Sequence, residues 1–167
     1  EDQDKRAVEC ATADGVVDLC KWASGVKLDD LPETVRQRAA LVIADNLAAV
    51  IAARSEPEVG LLQEQLLSAG ATSEATVFRG AGPRSDRYSA AVANGAAADW
   101  CELDEGYRKA PCHGGLCVLP ALWAEAEAEG RTVRELLRAL VIGYEVVTRF
   151  ARSFPFADMT LHPHATL

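Results

Sequence analysis

The residues best suited to chemistry fall in one stretch, 94–120, NGAAADWCELDEGYRKAPCHGGLCVLP. Three acids, Glu102, Asp104 and Glu105, precede a glycine- and proline-broken loop carrying Tyr107, Arg108, Lys109, Cys112 and His113. An imidazole exchanges protons near neutral pH, a carboxylate beside it can orient the ring, and guanidinium and ammonium groups attract carboxylates. That set suits proton transfer next to a carboxylate of a small molecule. The plain alternative is a wet connection between two helices, because charged loops are commonly just solvated. The other two histidines, His162 and His164, stand in the terminal LHPHATL.

Other chemistries fit less well. Cys101, Cys112, His113 and Cys117 give the spacing C-x10-C-H-x3-C, which matches no common zinc pattern and crowds two adjacent ligands, so no metal is expected. Cys112 could serve as a nucleophile beside a histidine, but nothing in the sequence marks a lowered thiol pKa. Arg149 and Arg152, on the last helix, are further cations that could meet a carboxylate or simply face water. Asp45 and Asn46 interrupt an apolar helix and are read as structural, at a solvent edge or bonded to a neighbouring helix end.

The elements that must hold this loop are helical. Asp14 can cap a first helix with the stripe Val16, Val17, Leu19, Cys20, Ala23, and residues 1–12 read as a flexible polar end. Asp29, Asp30 and Pro32 open a core helix to about Ala53, on which Val35, Ala39, Val42, Ile43, Leu47 and Val50 recur at the 3.6 period. A shorter helix spans Pro57 to Leu67, and Ala75 to Phe78 reads as a brief extended segment rather than the start of a sheet. Ser85 or Asp86 caps the next helix, whose alanines at 90, 91, 93, 96, 97 and 98 permit close helix approach. Leu116 to Ala128 follows, with Pro120 in its first turn, and Thr132-x-x-Glu135 is a capping box for a helix running to about Arg152. The fold class is therefore all-α, a helical bundle.

Composition agrees. With 167 residues, 49% apolar and 25% charged, the chain can bury one core. Its net charge of −8 and pI near 4.9 argue against nucleic acid and against long-range steering of anions. No stretch resembles a spanning helix or a signal peptide, and five irregularly spaced cysteines fit reduced thiols, so a cytoplasmic protein is expected.

Asn94-Gly95, Glu102-Leu103-Asp104-Glu105, His113-Gly114-Gly115, the Pro120–Glu127 helix and Gly143-Tyr144-Glu145 with Arg149 occur in that order. The ordered set, from about Leu31 onward, resembles the MmgE/PrpD family, which includes 2-methylcitrate dehydratase, cis-aconitate decarboxylase and iminodisuccinate epimerase. The family's His-Pro-Ser position falls on His113 and its Trp-His-Pro-Thr-Ala motif on residues 161–165, LHPHA. The resemblance implies the N-terminal part of a helical domain and a cofactor-independent lyase or isomerase. It also implies acid/base roles for His113 and His162, with Glu102 and Asp104 orienting them or the substrate. Asn94, Tyr107, Arg108 and Lys109 would bind a carboxylated substrate. Two departures stand out, glutamate at 102 for aspartate and Gly106 or Tyr107 for a threonine, and they bear on substrate more than on fold.

Relatives continue well past the histidine motif and carry catalytic lysines there. The resemblance therefore implies that residues 13–167 form an incomplete domain, a natural half or a truncated piece, completed by a complementary C-terminal chain, with a dimer of such units expected. A cyclase or dehydratase of specialised metabolism using the same pocket, and a non-catalytic helical partner subunit, are the alternatives.

Overall fold

The structure is a computed structural model that describes the backbone of residues 2–153 and side chains from residue 12 onward. Its six helices are α1 (Asp2–Gly25), α2 (Glu33–Ala52), α3 (Pro57–Ala69), α4 (Arg87–Asp99), α5 (Gly114–Ala128) and α6 (Val133–Ser153). Single 3-10 turns, Leu28–Asp30 and Ala53–Ser55, lead into α2 and α3. The all-α reading holds. No helix among the described residues is long and apolar enough to cross a membrane.

Helix ends follow local chemistry. Asp86 caps α4, its Oδ1 accepting from the backbone N–H of Tyr88 (3.1 Å) and Ser89 (3.0 Å). The capping box closes as expected: Glu135 Oε2 accepts from Thr132 N (2.8 Å), and Thr132 Oγ1 from Glu135 N (3.2 Å). Three boundaries differ from the sequence reading. Helix α1 begins at Asp2, inside the stretch read as a flexible end. The 75–78 segment does open a sheet, a two-residue antiparallel ladder of β1 (Ala75–Thr76) and β2 (Arg84–Ser85). Gly80 and Gly82, at φ 47° and 70°, turn the chain between these strands, which are too short for side-chain alternation to show. Helix α5 starts at Gly114 rather than Leu116, leaving Pro120 well inside it.

The core sits on both flanks of α5. On one side Ala39 (α2), Leu119 (α5), Leu136 and Leu140 (α6) form a buried cluster; withdrawing a leucine of this kind from water contributes roughly 1.5–3 kcal/mol. On the other, Ala90, Ala93 and Ala124 pack with Ala75 and Val77, so α4 presents small side chains to α5 and to the hairpin. Asn94 fastens the hairpin to this face. Its Oδ1 accepts from Phe78 N (2.8 Å) and its Nδ2 donates to Thr76 O (2.9 Å), at 2% exposure.

Candidate active site

The loop between α4 and α5, residues 100–113, is folded against α2 and α6 by its own backbone and by glycine-sized gaps. Tyr107 N donates to Cys112 O (2.7 Å), closing a turn that presents Arg108 and Lys109 at its tip. Glu105 Oε1 accepts from the backbone N–H of Gly115, supplying an acceptor for one of the first-turn donors of α5. This is why the helix begins two residues early. Its other oxygen, Oε2, accepts from Tyr144 Oη (3.1 Å) on α6. A Cβ on Gly114 would stand 2.7 Å from the Tyr144 ring, and one on Gly115 would stand 2.5 Å from both Glu105 Oε1 and Val42 Cγ1. The Gly-Gly pair is therefore what lets a tyrosine and a carboxylate close on the start of a helix.

Asp104 and His113 come together beside this cap. His113 Nδ1 stands 2.7 Å from Asp104 Oδ2, a contact set by charge and proximity rather than by a straight N–H···O line. The aspartate side chain is wholly buried and the imidazole 22% exposed. Burial pushes the Asp104 carboxyl above its ordinary range, with the charge of His113 acting in the opposite direction. Glu105 is likewise raised by burial, against the lowering effect of its bonds from Gly115 and Tyr144.

A cleft of about 480 Å³ opens next to this cluster. Val35, Ala39, Val42, Leu140 and Val141 give it apolar walls, Glu105, Tyr144 and Glu145 polar ones, and Arg38, Tyr107, Arg108 and Lys109 complete it. The Tyr107 and Tyr144 rings meet edge to face at 6.3 Å and 80°. Glu145 is ion-paired with Arg149. Cys112 is buried, and burial, followed by its neighbour Cys117, pushes its thiol up to about 12; such a thiol is a poor nucleophile.

Of the residues singled out from the sequence, Asp104 and His113 pair with each other without lining the cleft themselves, meeting it through Glu105, while Tyr107, Arg108 and Lys109 line it. Glu102 does not line it; it is exposed, in the left-handed region at φ 53°, with its N–H donating to Asp99 O. Asn94 is not at the cleft either, because both its amide atoms are committed to the hairpin backbone. His162 lies outside the described residues. Arg149 reaches the cleft only through Glu145. The sequence reading did not single out Arg38, and it gave Tyr144 no site role; the glycines at 114 and 115 were the signal that something large packs there.

The MmgE/PrpD N-terminal domain matches residues 17–167. The chain belongs to the MmgE/PrpD family. Among curated MmgE/PrpD relatives, cis-aconitate decarboxylase of Aspergillus terreus is 27% identical over 161 residues, covering 93% of this chain and 33% of that protein. The cis-aconitate decarboxylase-like protein oryM of Aspergillus oryzae is 30% identical over 152 residues, covering 85% of this chain and 31% of its own length. The chain thus spans about a third of the relatives it matches.

Proposed function

We propose that this chain is the N-terminal part of a cofactor-independent lyase or isomerase that moves a proton next to a carboxylate. The reading rests on one observation above the rest: a buried aspartate holding one nitrogen of a half-buried imidazole, beside a cleft that also takes three cations. In this reading the substrate lies in the cleft with a carboxylate near Arg108 and Lys109. His113 gives or takes the proton through Nε2, and Asp104 fixes its ring and stabilises the imidazolium. In a dehydration the electron pair of the broken C–H bond becomes the double bond and the hydroxyl leaves, protonated as water, from the neighbouring carbon; in a decarboxylation the electron pair of the broken C–CO2 bond shifts into a new double bond and the proton is delivered to the carbon at the far end of that shift. The names of the relatives make cis-aconitate the first substrate to try.

Coverage of a third of those relatives supports the further proposal that additional polypeptide completes the site, bringing its own cationic groups to a developing enolate, and that His162 joins from beyond the described residues. The test is turnover of cis-aconitate, followed by carbon dioxide release, in the chain assembled with its downstream sequence. His113→Gln should lower kcat by about 10²–10⁴-fold, the range for a general acid/base, with an unchanged melting curve. Undiminished turnover would exclude the catalytic role. It would then select the second reading, a non-catalytic helical partner, which draws on Glu102 being exposed and absent from the cleft lining and on glycine at 106.

A further inference from the structure

Two cysteines bracket His113. The histidine is the N-cap of α5, so Cys112 stands one residue before the cap and Cys117 at the fourth helical position. Side chains at those two positions meet across the first turn of a helix, where an apolar pair commonly sets the angle at which the chain enters. Here both members are thiols, and they lie within hydrogen-bonding reach of one another. Main-chain bonds hold them in place: Cys117 N donates to His113 O (3.0 Å), and Tyr107 N donates to Cys112 O (2.7 Å). The two differ in access, Cys117 being exposed and Cys112 buried. Elsewhere, Cys101 packs against the cluster of Val50, Val59 and Ala98, and Cys20 is exposed on α1.

We infer that Cys112 and Cys117 are a modification site, a reversible thiol–disulfide pair whose oxidation closes a covalent ring around His113 and resets the start of α5. The oxidant is a small-molecule disulfide such as oxidised glutathione. The exposed Cys117 reacts first: its proton goes to solvent, its thiolate attacks one sulfur of the oxidant, and one glutathione thiolate leaves. Cys112 then gives up its proton and attacks Cys117 Sγ in the mixed disulfide, and the second glutathione thiolate leaves. Both thiolates take up protons, so two protein thiols become one disulfide while the oxidant becomes two thiols. Burial holds both cysteines toward their protonated forms, which slows each attack because the thiolate is the nucleophile. Contact offsets this in the second step, where the partners already stand together at one helix end. The pair therefore answers sustained rather than passing oxidation, and it closes on itself in preference to Cys20 or Cys101. His113 lies inside the ring, and its 2.7 Å contact with Asp104 is the geometry that a change at the cap disturbs.

The experiment holds the whole chain in glutathione buffers of rising oxidised fraction, alkylates the remaining thiols in urea and digests with trypsin. Both cysteines fall in one peptide, 110–131. In oxidising buffer that peptide should be two hydrogens lighter and carry no alkyl group, and dithiothreitol should return it to the doubly alkylated form. Chain unfolded in urea before oxidation should form less of the bond. Cys112→Ala should instead trap a glutathione adduct on Cys117, and Cys117→Ser should leave Cys112 as a thiol. Magnetic resonance signals of the His113 ring, assigned by their loss in His113→Gln, should move when the wild type is oxidised and stay in place in Cys117→Ser. Melting curves check that each variant folds, and the exposed position of Cys117 makes its serine variant the one that decides. A peptide that stays doubly alkylated, separate glutathione adducts on both cysteines, a bond from either to another cysteine, equal oxidation of the unfolded chain, or unmoved His113 signals would each overturn the inference. None of these readouts uses turnover, so they are separable from failure of the catalytic reading, which is judged by His113→Gln in the assembled enzyme.

Discussion

Around the β1–β2 hairpin, polar groups are consumed by structure: Asn94 gives both amide atoms to backbone, Glu127 accepts from Thr76 N (2.6 Å) and Trp123 Nε1 (2.9 Å), and Arg87 reaches three carboxylates. Around the cleft the reverse holds. Arg38, Arg108 and Lys109 meet no carboxylate among the described residues, while Asp104 and Glu105 are withdrawn from water at a cost to their ionised forms. The hairpin's polar groups sit on α4 and at α5, whereas the cleft is lined from α2, α6 and the loop that joins α4 to α5. What separates them is whether the fold leaves polar capacity over. Surplus charge beside an apolar hollow marks binding, and fully used charge marks scaffolding.

Substitutions can break that contrast from either side. The largest effect belongs to His113→Gln, the ~10²–10⁴-fold loss of turnover described above with folding intact; loss of folding instead would move His113 to the scaffold side. Asn94→Ala should do the opposite. It strands a buried N–H of Phe78 and a buried C=O of Thr76, at about 1–3 kcal/mol each, so the urea midpoint should fall without a change in slope. A midpoint within experimental error of the wild type would show that the hairpin does not depend on this clamp.

Glycine replacements sharpen the comparison further. Gly115→Ala forces a methyl group against Glu105 and Val42 and should destabilise by about 1–3 kcal/mol. Gly60→Ala in α3, where a Cβ meets nothing within 4 Å, should stabilise by about 0.5–1 kcal/mol. Equal effects in the two melting curves would mean that the start of α5 is not tightly occupied.

The smallest effect is the pH dependence carried by Glu105. Its folded-state pKa is raised by burial, so the folded chain binds this proton more firmly than the unfolded one. The resulting stability is greatest at acid pH and is lost as pH rises from the unfolded glutamate value through the folded one. Wild type should therefore gain stability relative to Glu105→Gln when urea titrations are moved from neutral to mildly acid buffer. A constant difference would show that the carboxyl is not held out of water.

Much of this was legible from residue order. The 3.6 period on α2 and α6, the Thr132–Glu135 box and the Asp86 cap are local signals, and local physics decided them. The hairpin was not legible, because two-residue strands carry no period. Nor was the true start of α5, which depends on Glu105 returning from ten residues earlier. The site shows the same division. Asp104 and His113 were visible as residue types, but their pairing, the exclusion of Glu102, and the roles of Arg38 and Tyr144 depend on contacts between distant segments.

Pro120 carries a mechanical consequence. Lacking an N–H, it cannot bond the carbonyl of Leu116, so the opening turns of α5 lack one rung of the ladder that ties them to the rest of the rod. Glu105 and Tyr144, reaching in from the loop and from α6, grip that end instead. His113, the residue from which that end sets out, thus has its footing in side chains lent by the loop and by α6, while the far end of the same rod is seated among the alanines.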